Sequence, residues 1–136
     1  MAYRLDFEKL VPYNRDEPGI SVGVEVRTED HSSLFEAKIN TGAAICVFER
    51  RIGEELGIDI ELGEPLIIGT ATGTFRAFGH RVTLVIEDYE FDSEVYFNEH
   101  AGFSRNILGR HGLLDRLIVG INDFDGKLYL SKYGAQ

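Results

Sequence analysis

"FEAKINTGAAICVF", residues 35–48, decides how this chain reads. An apolar strand runs into a tight Thr41-Gly42 turn and then into a second apolar strand, with Asn40 at the corner. An amide stands where an acid would make chemical sense.

Working outward, "GISVGVEVRT" (19–28) alternates. Ile20, Val22, Val24 and Val26 point one way, and Ser21, Gly23, Glu25 and Arg27 the other, which predicts a half-buried strand. After the polar turn "EDHSS", Leu34, Glu36, Lys38 and Asn40 share one face while Phe35, Ala37 and Ile39 share the other, so the two strands form a hairpin. "ERRIGEELGI" predicts one or two turns of surface helix ending at Gly57. Residues 64–99 are rich in Thr, Ile, Val, Phe and Tyr, with Gly69, Gly73 and Gly79 as punctuation and "EDYE" as a later turn. They predict at least three antiparallel strands. Beyond them, "RHGLLDRL" predicts a short helix, and "LIVGINDFDGKLYLS" closes the chain as a hairpin with Asp125-Gly126 at its turn. Residues 1–18, with Pro12, Asn14 and Pro18, read as a loosely structured arm and residues 19–136 as one domain. The fold class is mostly β with two short helices, a small closed barrel or a sandwich.

Composition bounds the function. A chain of 136 residues with 43% hydrophobic and 27% charged residues can bury one real core. Its 23 acidic against 14 basic residues, a formal net charge of −9, repel phosphate backbones and anionic membrane surfaces, so neither nucleic acid nor membrane is an expected partner. Cys46 is the one cysteine and lies in an apolar run, so neither an intrachain disulfide nor a cysteine-ligated zinc is available. No segment has the length and apolarity of a signal sequence or membrane span, and the expected location is the cytoplasm. His31, His80, His100 and His111 are scattered without metal-ligand spacing. Ser32, Ser33 and Ser104 sit in no nucleophile elbow. Around Gly69–Gly73 the lysine and helix start of a phosphate-binding loop are missing, so no metal and no cofactor is expected.

Three stretches belong together: "INTGAA" (39–44), the glycine-punctuated "IGTATGTFRAFG" (68–79) and "NILGR" (106–110). In this order and at these distances the chain, from about Ser33 to Leu130, resembles the retropepsin-like aspartic peptidases, single-domain proteases that work as homodimers. The resemblance implies a small closed β-barrel with a glycine-tipped flap. It also implies two carboxylates facing across a two-fold axis and sharing a proton over one water, which attacks a peptide bond held extended beneath the flaps. One chain supplies one corner, so the second comes from a partner copy. By the same resemblance, Thr41 hydrogen-bonds across the dimer beneath the corner residues, Gly42 permits the tight turn, and Ala43 lines the cleft. Gly69, Ala71, Thr72 and Gly73 belong to the flap, and Ile107, Leu108 and Gly109 pack behind the active loop. Val47, Ile68, Ala71 and the Phe75 region would offer apolar subsites.

Two positions depart from the family. Aspartate belongs at position 40, and the amide of Asn40 cannot take a proton from water near neutral pH, so hydrolysis should be abolished while peptide still binds. The acid that pairs with the arginine after the later glycine in viral members is missing from Ala43-Ala44-Ile45. Arg110 must therefore find another partner, which points to the bacterial or cellular branch. Asn40 can be read as a deliberate inactivation of an aspartic endopeptidase or as the mark of a natural pseudopeptidase that kept its groove, and the sequence leaves both open. A third reading, a β-barrel that dimerises with no role at its axis, makes the Thr-Gly turn and the flap coincidences.

Overall fold

The structure, a computed structural model, describes residues 1–134; the last two residues of the expected 19–136 domain lie outside the described residues. Strands β2 (Ser21–Arg27) and β3 (Ser32–Ile39) form the expected antiparallel hairpin, Val24 facing Phe35 across it. Val22, Val24 and Val26 are buried to 4% exposure or less, so the alternation read from the sequence is the core-facing face. The short β4 (Val47–Phe48) leads into α1 (Arg50–Glu55), after which Gly57 turns the chain at φ +72. A 3-10 turn (Ile60–Leu62) precedes the long hairpin of β5 (Glu64–Thr70) and β6 (Gly73–Ile86). Glu87 and Asp88, both at positive φ, make the two-residue turn into β7 (Tyr89–Asn98).

The decisive topological step is β8 (Ile107–Leu108). It runs parallel to β3, pairing Lys38 with Ile107 and Ile39 with Leu108, and antiparallel to β4, pairing Val47 with Ile107. The loop joining β3 to β4 therefore straddles a strand that arrives from far along the chain. Pairing runs β2-β3-β8-β4-β7-β6, and β6 returns to β2 through Thr83–Val85 against Glu25–Arg27, which closes the strands on themselves. β5 pairs only with the first half of β6 and so projects from the barrel as a two-stranded arm. Inside lie Phe48, Phe97, Leu84, Val26 and Leu108, each fully buried, with Phe35 meeting Phe48 edge-on at 4.9 Å.

Two expectations need correction. Residues 110–116 form turns, not a helix. Gly112 sits at φ +113, and the Asp115 carboxylate accepts its N–H at 2.9 Å, so the backbone leaves helical geometry at its first turn. The first segment is also more ordered than its prolines imply. β1 (Lys9–Pro12) adds to the closing hairpin of β9 (Leu117–Asn122) and β10 (Lys127–Lys132) as a three-stranded sheet with β10 in the middle. Pro12 is tolerated because β1 is an edge strand. Glu8 ties this sheet to the barrel, accepting the Tyr89 hydroxyl at 2.8 Å and the Lys132 N–H at 3.3 Å. These bonds hold its carboxyl below the ordinary range, while burial and Glu8 push the Tyr89 phenol up to about 12. Among the described residues no helix is long and apolar enough to cross a membrane.

Gly109 closes the threaded strand. A Cβ there would lie 2.2 Å from the Ile45 carbonyl oxygen and 2.8 Å from that of Ala43, both rigid backbone. Gly109→Ala is expected to cost about 3 kcal/mol or more in a denaturant titration. Gly23→Ala, where an added methyl meets nothing within 4 Å, should change stability by less than about 0.5 kcal/mol. Equal midpoints for the two variants would contradict the threaded packing.

Candidate active site

β3 delivers Asn40 to the end of the barrel, and the backbone there is held on every side. The Asn40 N–H donates to the Leu108 carbonyl at 2.9 Å, and its own carbonyl accepts the Ala43 N–H at 3.1 Å across the turn. The far side of the loop is fastened to the exit of β8, with Arg110 N–H donating to Ala43 and His111 N–H to Ala44, both at 2.9 Å. The entrance of β8 is fastened as well: Asn106 donates to the Glu49 carboxylate at 2.7 Å and accepts the Glu49 N–H at 2.9 Å. Backbone from two distant segments thus forms one rigid seat.

Within it the Asn40 side chain is oriented by a single bond, its Oδ1 accepting the Gly42 N–H at 2.9 Å. That donor requires an oxygen, which assigns the amide and turns Nδ2 away from the loop. An aspartate in the same pose keeps the bond to Gly42 and presents its second oxygen where Nδ2 now sits. Asn40, Thr41 and Gly42 are exposed in the single chain.

Over this corner the β5–β6 arm roofs a cleft of about 500 Å³. Its floor is Asn40, Gly42, Ala43 and Ile107, and its walls include Val47, Leu66, Ile68, Gly69 and Phe75. The arm's two-residue turn is Ala71-Thr72, followed by Gly73 at φ +147, a conformation that favours glycine, and the Thr70 hydroxyl donates to the Gly73 carbonyl at 2.9 Å. The ring of Phe103 packs on Phe75 at 4.9 Å, joining the loop before β8 to the arm.

The sequence-derived residues therefore divide. Asn40, Gly42, Ala43, Gly69 and Ile107 meet around the cleft. Thr72 and Gly73 line an adjoining recess under the arm's tip, while Thr41 and Ala71 line neither. Leu108 and Gly109 are buried behind the loop, and the exposed guanidinium of Arg110 has no hydrogen bond or ion pair among the described residues. Leu66, Ile67, Phe103 and Arg105 also line the cleft without a signal of their own in the sequence, although Phe103 and Arg105 lie just before "NILGR".

No family model matches the chain, and no curated protein matches it. Among solved structures, EIAV protease complexed with the inhibitor HBY-793 aligns with a TM-score of 0.57 at 19% identity, covering 74% of this chain and 88% of that one. Likeness at that identity is likeness of fold: the chain has the mostly β, retropepsin-like architecture that its three stretches imply.

Beneath the loop, Cys46 is fully buried, its Sγ accepting the Gly109 N–H at 3.4 Å. Burial raises its thiol to about 11 despite that bond. A raised acid keeps its proton in the folded state, so its stabilising contribution is complete below the unfolded pKa near 9 and is lost as pH rises towards 11. Native protein should resist iodoacetamide at pH 8 and label fully in denaturant, as read by mass spectrometry. Rapid labelling of the folded chain would contradict the buried seat.

Proposed function

We propose that this chain is an aspartic endopeptidase scaffold of the retropepsin type, which pairs with a second copy and holds an extended peptide between the paired corners and the β5–β6 arms. With asparagine at position 40 it does not hydrolyse that peptide. One observation carries the reading: Asn40 sits at a turn fastened by β8, its Oδ1 accepting the Gly42 N–H, and lines a cleft roofed by a glycine-containing hairpin.

The chemistry explains why the amide matters. Two aspartates at such a corner share one proton because like charges so close cannot both ionise. One then removes a proton from the trapped water while the other donates to the carbonyl oxygen of the scissile bond. Asparagine preserves an acceptor for Gly42 and little else, since its Nδ2 offers only protons that it does not release near neutral pH. The frame therefore stays and the base is gone. Thr41, exposed and with its hydroxyl unpartnered among the described residues, fits the role of bonding across the two-fold axis. Arg110 is likewise free to reach a partner copy. A lone buried thiol suits a reducing compartment such as the cytoplasm.

A second reading keeps the same groove and removes the ancestral hydrolysis, making the chain a dimeric peptide-binding module. It is favoured by the undamaged cleft around the amide. The two part on one substitution. Asn40→Asp, dimeric at the concentration used, should cut members of a mixed peptide library between about pH 4 and 8, the window of the coupled carboxyl titrations, whereas the asparagine form cuts none. If the aspartate variant is folded and dimeric yet leaves every peptide intact, the peptidase reading fails. Peptide affinity in the asparagine form then supports the binding module.

A further inference from the structure

The cleft carries the wrong charge for this protein. Formal net charge is −9, yet among the described residues Arg105 is the one charged side chain lining the roofed cleft and the one lining the recess under the arm's tip. It lines a third recess too, of about 560 Å³, on the other side of Asn40, together with Lys38, Ser104 and Asn106. There the charges are Lys38, Arg105 and a single acid, Glu36. Lys38 stands two residues before Asn40 on the same exposed face of β3. Its stem is laid against Gly19, where an added Cβ would come within 2.8 Å of its Cδ, so the side chain runs along the recess wall.

Neither cation is spoken for. Arg27, Arg50, Arg51 and Arg76 each pair with a glutamate, whereas Lys38 and Arg105 have no side-chain hydrogen bond or ion pair among the described residues. In a chain with acid to spare, two unpaired cations flank the corner residue.

On the reading that an extended peptide occupies this groove, we propose that Lys38 and Arg105 make it selective for peptides carrying a glutamate or aspartate side chain beside the Asn40 corner. The planar guanidinium offers paired N–H donors to a carboxylate and the ammonium adds a second charge. The apolar walls from Leu66, Ile68 and Phe75 accept aliphatic or aromatic neighbours of that acid.

The test uses the asparagine form, in which turnover does not complicate binding. Labelled octapeptides of apolar residues, with a single Glu, Gln or Lys placed at each central position in turn, are titrated by fluorescence anisotropy. At one or two positions the Glu peptide should bind about tenfold more tightly than its Gln counterpart, the sum of two modest exposed pairs. Arg105→Gln should reduce that ratio to about threefold, and the double variant Lys38→Glu, Arg105→Glu should reverse it in favour of the Lys peptide. Both side chains are exposed, so the melting curves of these variants should match the parent's; should the double variant misfold, the Arg105→Gln ratio decides alone. Equal affinity for Glu and Gln peptides, or a Glu preference that survives in a folded variant, overturns the selectivity and leaves the groove standing. Failure of every peptide to bind the folded parent overturns the groove, and the selectivity with it.

Discussion

Two backbones touch at Gly109. Everything that gives Asn40 a fixed position depends on that contact, because β8 passes between β3 and β4 only if the carbonyls of Ala43 and Ile45 can close over a residue without a side chain. From the contact follow the parallel pairing that anchors the Asn40 N–H, the bonds from Arg110 and His111 to the far side of the turn, and the burial of Cys46 beneath it. A loop at a barrel's end is ordinarily the easiest part of a domain to move. This one is held at both ends by a strand from more than sixty residues away, so the backbone that carries its corner side chain is positioned by the fold, and the bond to Gly42 orients the side chain on it.

That division between frame and chemistry makes a single atom decisive. The bond between Gly42 N–H and Asn40 Oδ1 satisfies the turn whether the residue is an amide or an acid. The turn therefore keeps its bond through the exchange, and only the second terminal atom of the side chain differs. On the proposed reading, an amide in place of an acid at this corner removes the base and leaves the cleft made from the arm, the turn and the loop before β8 unchanged. The apolar walls and the isolated cations of Lys38 and Arg105 are properties of the groove and persist.

Much of this was legible along the chain, for identifiable reasons. The β2–β3 hairpin announces itself by strict alternation, and the closing hairpin by Asp125-Gly126, with Gly126 at φ +66. The order of the Thr-Gly turn, the glycine-punctuated hairpin and the Ile-Leu-Gly strand carried the fold. What escaped was set by partners distant in sequence. β1 is four residues long and contains a proline, so its strand character appears only against β10, more than a hundred residues away. Leu113, Leu114 and Leu117 have a helix-like spacing, but Gly112 and the Asp115 carboxylate impose turns. Arg105 and Phe103 lay in a short polar loop and became part of the cleft only when the arm folded over them.

A crystal structure of the asparagine form grown with an apolar octapeptide tests the central claim most directly. It should show two copies about a two-fold axis, their Asn40 side chains facing each other beneath one extended peptide, with both β5–β6 arms closed over it. Copies meeting through another face, with Asn40 open to solvent and the peptide bound elsewhere or not at all, would contradict it.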